Sequence, residues 1–225
     1  MFNVLGPLIN PAKPRGMVLG VAEPEIGPTF AQCVGEGGVE RALVVCGFER
    51  LDEISCAGPT HVWELKDGKI TKIVLNPEDF GLPCHPLYTV GGGTPIENAA
   101  TFEALLTSGD NIPEKLVPVL DFVLINASAL LVVAGIAYDY VEGTKLARES
   151  IISGRAWKAL ETFREVGKKA TQVQIYMLSL LILLELRPGY ILNQRFFRRF
   201  HNLIKILPLS SSAVEVEFQI SASTV

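Results

Sequence analysis

The chain has 225 residues, 48% of them hydrophobic and 20% charged, with a mean hydropathy of +0.32. That is enough apolar material for one sizeable core, and it excludes a disordered chain over most of the length. With 24 acidic against 20 basic residues the net charge is -4, which gives no general attraction to nucleic acid or to an anionic membrane.

Residues 6–16, GPLINPAKPRG, are dense in glycine and proline and are expected to be irregular. MVLGVA (17–22) reads as a short apolar strand, PTFAQCVGEGG (28–38) as a helix ending in its glycines, and RALVVCG (41–47) as a second buried strand. Strand, helix and strand at this spacing predict a βαβ unit with parallel pairing and helices on the sheet faces. HVWELKDGKITKIVL (61–75) has two partly alternating runs around Asp67-Gly68, the signature of an antiparallel hairpin. NPEDFGLP (76–83) closes it with turn residues.

GGGTPIENAATFEALLTSG (91–109) predicts a loop feeding a helix, with Thr94 as cap, Pro95 in the first turn and Glu97 close behind. Residues 113–137 are apolar enough to suggest a membrane span, but Pro118, Asp121, Asn126 and Ser128 interrupt them and favour a core helix. Residues 138–170 supply one or two amphipathic helices with a break at Gly154. Beyond about residue 170 the character changes. IYMLSLLILLEL (175–186) is too short to cross a bilayer, RPGYILNQRFFRRFHNLIKIL (187–207) is basic and aromatic, and the last sixteen residues lack helical periodicity. The chain is therefore divided into an α/β domain, 1–170, and an atypical tail, 171–225.

Cys33, Cys46, Cys56 and Cys84 form no CxxC pair, and His61, His85 and His201 lie at no zinc-like spacing, so reduced, buried thiols are expected. Neither His61 nor His85 is paired in sequence with a nucleophile, and no catalytic residue is assigned. The start of the chain lacks the basic and apolar regions of a secretory signal. In GFERLDEISCAGPT (47–60), Asp52 and Glu53 sit in a loop that follows directly on a buried strand. Loops at the carboxyl ends of parallel strands hold ligands in open α/β sheets, and two carboxylates converging in a loop suit Mg²⁺. From spacing alone, a solvated acidic turn is the simpler reading. The glycine run 91–93 could cradle a phosphate, but without a following lysine a permissive loop is simpler.

Taken together, FNVLGPLINPA (2–12), ALVVCGFERLDEISCAGPT (42–60), LNPEDFGL (75–82), the GGG…ENA stretch (91–99) and residues 124–161 resemble, in order, the anthranilate phosphoribosyltransferase family. The similarity runs from Phe2 to about Gly167, with Arg50 standing where glycine is usual. The resemblance implies a nucleoside-phosphorylase/phosphoribosyltransferase-like α/β fold, with a mostly parallel sheet, flanking helices and an antiparallel hairpin. It implies a glycosyltransferase of tryptophan biosynthesis, in which anthranilate displaces diphosphate from phosphoribosyl diphosphate with Mg²⁺ held by Asp52 and Glu53. The family's small helical domain, GTGGD-type diphosphate loop, KHG-type stretch and anthranilate-binding arginine have no counterpart here, so no substrate-binding residue is assigned. The chain is expected to be a front-truncated domain, inactive by itself and a homodimer only with the missing helical domain. A non-catalytic fragment or paralogue, or a pyrimidine nucleoside phosphorylase-like protein, is the alternative. A cytoplasmic location, with no nucleic-acid or membrane partner, is expected.

Overall fold

A computed structural model describes Leu8 and residues 14–185, with side chains through residue 170. The chain divides into a unit Met1–Glu165 and a second from Val166 onward. Among its described residues the first contains four strands, β1 (Gly16–Gly20), β2 (Arg41–Gly47), β3 (Thr60–Lys66) and β4 (Lys69–Leu75). Its helices are α1 (Gly27–Glu36), α2 (Pro95–Thr107), α3 (Val117–Val133) and α4 (Tyr140–Ile152). A fifth helix, α5, runs Arg155–Glu185 with no break at position 170. Most of the tail expected from residue 171, including the basic and aromatic stretch, lies outside the described residues.

The sheet has the order β1-β2-β3-β4. β1 and β2 pair in parallel, with Gly20 opposite Val45, and α1 forms the crossover. β3 pairs antiparallel with β2 and with β4, so among the described residues one of the three pairings is parallel and the sheet is mixed rather than mostly parallel, the hairpin contributing half of its strands. β2 lies between a parallel and an antiparallel neighbour and is buried on both faces, which is why its sequence is an unbroken apolar run. Ala42, Val44 and Cys46 face one core with Phe30 and Val34 of α1, while Leu43 and Val45 face another with Leu120, Leu124 and Ile125 of α3. The sheet is thus the middle of three layers. A Cβ on Gly27 would lie 2.2 Å from the Trp63 ring, so the missing side chain lets α1 start directly against β3.

The hairpin closes through Asp67 and Gly68, both at positive φ (51° and 72°), a type I′ turn with Lys66 opposite Lys69. Thr94 caps α2 with a reciprocal bond to Glu97, and Pro95 opens the helix. Gly154, at φ 74°, separates α4 from α5. The segment Glu114–Val133 has the length and hydropathy to cross a membrane, with a mean hydropathy of 2.3, yet 44% of it is buried within the protein. Its polar residues are partnered, as in a core helix: Ser128 Oγ donates to the Tyr140 carbonyl at 2.7 Å, and Asp121 and Asn126 are bonded as described below. Cys46 and Cys56 are buried free thiols, but Cys33 and Cys84 are exposed. Cys33 falls on the outward side of α1 and Cys84 in a surface loop beside Glu78, so apolar character alone did not place them.

Candidate functional site

The loop that leaves β2 folds back on itself before entering β3. Gly47 N–H donates to the Leu51 carbonyl at 2.8 Å, and Arg50 N–H to the Gly47 carbonyl at 2.8 Å. Phe48 N–H donates to Pro59 across the neck of the loop at 3.1 Å. Inside it, the Ser55 hydroxyl donates to the Glu49 carboxylate and accepts from Ala57 N–H, and Ser55 N–H donates to Thr60 Oγ1 at 2.9 Å. With its ends on adjacent strands and its polar groups internally paired, the loop is an Ω-type structure. Arg50 takes φ +66°, the left-handed region. Glycine takes that conformation at no steric cost, whereas an L side chain rarely adopts it.

Asp52 and Glu53 lie on this loop with exposed side chains, and Ile54, Ser55 and Cys56 directly after them are fully buried. The chain therefore presents both carboxylates to solvent and dives into the core within one residue. Two contacts fix the depth of the dive. A Cβ on Gly20 would sit 1.6 Å from the Asp52 carbonyl oxygen, so the loop rests directly on the carboxyl end of β1. On the other side, Asn126 of α3 accepts from Ile54 N–H at 3.0 Å and donates to the Ile54 carbonyl at 3.1 Å. The acid pair thus stands over the carboxyl ends of both parallel strands.

Although Glu53 is exposed, the protein packed beneath it partly desolvates its carboxyl and holds it above the usual carboxylate range, and the neighbouring Asp52 charge pushes it further. A carboxyl whose ionisation is disfavoured by desolvation and by its neighbour's charge is a favourable setting for a divalent cation, which would relieve both. Among the described residues no group of three or more His, Cys, Asp or Glu could hold a metal. A donor set of two hard oxygens leaves the remaining positions to water and ligand, the habit of Mg²⁺ rather than of zinc or calcium. Asp52 and Glu53 therefore fit Mg²⁺.

The glycine run 91–93 is exposed, and its last N–H is taken: Gly93 donates to Asn98 Oδ1 at 2.7 Å, while Asn98 Nδ2 donates back to the Gly93 carbonyl at 3.1 Å. His61, on β3, stacks on Phe48 with ring centroids 4.1 Å apart, and its Nδ1 is buried with no partner. Burial pushes its pKa down, with a smaller effect from Lys72. His85 lies 2.8 Å from the buried carboxylate of Asp121, whose other oxygen accepts from Arg148 at 3.2 Å. His85 also donates its backbone N–H to the Cys56 carbonyl at 2.8 Å, which ties this cluster to the acid loop. Sequence reasoning did not connect these three residues. The available signal was a lone aspartate in the apolar run of α3, a charge that a core must pair.

Residues 1–157 match the family described as "Glycosyl transferase family, a/b domain". The chain is 45% identical over 169 residues to the anthranilate phosphoribosyltransferase of Schizosaccharomyces pombe, covering 75% of this chain and 47% of that protein. Over 165 residues it is 42% identical to that of Symbiobacterium thermophilum, covering 73% and 47%. Among solved structures it is similar to the Saccharomyces cerevisiae anthranilate phosphoribosyltransferase in complex with PRPP and Mg, at 35% identity and a TM-score of 0.62, covering 72% of this chain and 45% of that one. The Thermus thermophilus enzyme gives 39% identity and a TM-score of 0.63, covering 72% and 46%. The chain spans about half the length of the relatives it matches. It belongs to the glycosyl transferase family, whose a/b domain occupies residues 1–157.

Proposed function

We propose that the chain carries the metal-binding part of an anthranilate phosphoribosyltransferase, acting in tryptophan biosynthesis on phosphoribosyl diphosphate and anthranilate in the cytoplasm. The observation that carries this reading is the Asp52–Glu53 pair, presented over the ends of β1 and β2 by a loop closed on itself and seated on Gly20. The activity for which the relatives are named and the PRPP and Mg in a similar solved structure support the same substrates and ion. Bound there, Mg²⁺ would offset the negative charge that collects on diphosphate as its bond to ribose C1 breaks. Asp52 and Glu53 would supply two carboxylate oxygens, from a loop whose backbone is held on Gly20 and by Asn126. The rate of a two-substrate transfer depends on joint positioning, and the relatives are about twice as long as the matched segment. Turnover, and any homodimer, are accordingly proposed for the complete fold. The tail from 171 is proposed to lie outside the transferase domain.

The test is a hybrid in which residues 1–157 of this chain replace the matching segment of the Schizosaccharomyces pombe relative. With phosphoribosyl diphosphate and Mg²⁺ the hybrid is expected to consume anthranilate, followed by its fluorescence, and Asp52→Ala is expected to depress the rate. A folded hybrid without turnover, or one indifferent to Asp52→Ala, overturns the proposal.

A further inference from the structure

We propose that Asn126 is a positioning residue for the metal loop: its side-chain amide, 72 residues away in sequence, sets the geometry of Asp52 and Glu53 by pairing both backbone groups of the next residue, Ile54. The inference rests on the Mg²⁺ reading of those two acids given above. Ile54 is fully buried, so its N–H and carbonyl have no access to water and need partners from the protein. Asn126 supplies both, accepting at 3.0 Å and donating at 3.1 Å in the manner of a neighbouring strand. The same Nδ2 also donates to the Phe122 carbonyl one helical turn earlier at 3.1 Å, which locks the side chain against its own helix. Few other residue types offer a donor and an acceptor at this length. Serine and alanine are too short, and aspartate would set a carboxylate against the Ile54 carbonyl.

The loop has a second tie to α3. His85 donates its backbone N–H to Cys56, and its ring meets the Asp121 carboxylate at 2.8 Å. Asp52 is seated on Gly20 at the front of the acid pair, and Ile54 and Cys56 are fastened to α3 behind it. The most apolar helix of the domain thus acts as a rigid strut for an otherwise exposed turn. Removing the Asn126 amide leaves two buried backbone groups unpaired, and the loop would relieve this by turning Ile54 toward water. That movement would separate the two carboxylates one and two residues earlier. Groups that orient metal ligands without touching the metal commonly change affinity by roughly 10–100-fold.

The experiment uses the full chain and follows Mn²⁺ in the presence of inorganic diphosphate by loss of the free-ion electron paramagnetic resonance signal. Amide hydrogen exchange of residues 52–57 is measured in parallel without metal. Asn126→Ala is expected to weaken Mn²⁺ roughly 10–100-fold and to remove protection from the loop. Asn126→Asp, which keeps the shape and the acceptor but sets a carboxylate against the Ile54 and Phe122 carbonyls, is expected to weaken Mn²⁺ and unprotect the loop at least as much as Asn126→Ala. Ser128→Ala, which breaks a 2.7 Å bond on the same helix away from the loop, is expected to leave both readouts unchanged. If Asp52→Asn abolishes Mn²⁺ binding while Asn126→Ala matches Ser128→Ala, the positioning role is overturned and the metal assignment stands. If the unaltered chain binds no better than Asp52→Asn, the metal assignment falls and takes this role with it. Rapid exchange of the Ile54 amide in the unaltered chain also overturns the inference, whatever the variants do.

Discussion

Gly20→Ala adds one methyl group at the point where the acid loop touches β1. On this backbone the new Cβ would lie 1.6 Å from the Asp52 carbonyl oxygen and 2.4 Å from its carbon, where ordinary contact begins near 3.4 Å. Either the end of β1 or the loop must therefore retreat by about 2 Å. β1 is held in register by β2, and Ile54 is held by Asn126, so the displacement falls on Asp52 and Glu53 between them. Overpacking of this kind costs typically about 1–3 kcal/mol. In a domain of this size that lowers the melting temperature by about 2–4 °C per kcal/mol. Gly58→Ala, on the same loop and with nothing within 4 Å of its added Cβ, is the control and is expected to stay within about 0.5 kcal/mol of the parent. Thermal unfolding gives the stability term, and isothermal titration with Mg²⁺ and inorganic diphosphate gives the site term. Because Mg²⁺ requires oxygens at about 2.0–2.1 Å in near-octahedral array, a 2 Å shift of one ligand carrier is expected to remove most of the affinity. A Gly20→Ala chain that melts with the Gly58→Ala control and binds Mg²⁺ as the parent does would refute the close-seating argument.

Arg50→Gly relieves a left-handed residue in the same loop and is expected to stabilise by about 1 kcal/mol in urea unfolding; a loss of stability would show that φ +66° carries no strain here. Asp121→Ala leaves Arg148 and His85 without their shared carboxylate and is expected to cost about 3 kcal/mol, at the lower end for a broken buried pair because Arg148 reaches solvent. A cost under about 1 kcal/mol would mean that the cluster is not structural. Burial beside Phe80, with a smaller contribution from Glu64, pushes the Tyr140 phenol up to about 12. The folded value lies above the unfolded one of about 10, so this group's stabilisation is complete below pH 10 and is lost as the pH rises from about 10 to about 12. Tyr140→Phe should flatten the alkaline stability profile and abolish the latest step in the ultraviolet phenolate titration. Its persistence would assign that step to another tyrosine.

The parts legible in sequence were those whose signals are local. Asp67-Gly68 specifies a type I′ turn by itself, Thr94 and Glu97 reach each other within one helical turn, and the apolar run of β2 reports burial on both faces. That Asp52 and Glu53 lie on an exposed loop was legible because two adjacent carboxylates in the segment after such a strand must leave the core. What holds that pair was not. The amide of Asn126 lies 72 residues from Ile54, and Asp121 lies 36 from His85 and 27 from Arg148. Such contacts exist only once α3 lies across the sheet, and nothing in the local spacing announces them. Asn126 and Asp121 could be read only as polar interruptions of an apolar helix, which correctly argued for a core position but not for a partner. Arg50 illustrates the reverse case: its departure from the usual glycine was visible in the sequence, and its meaning came only with a positive φ.

The most direct test of the central claim is the anomalous difference density of crystals of this chain grown with Mn²⁺ and inorganic diphosphate. A single strong peak within coordinating distance of both the Asp52 and the Glu53 carboxylates is the predicted result. Density that avoids those two side chains, or an ion held elsewhere while they remain in bulk solvent, would contradict it.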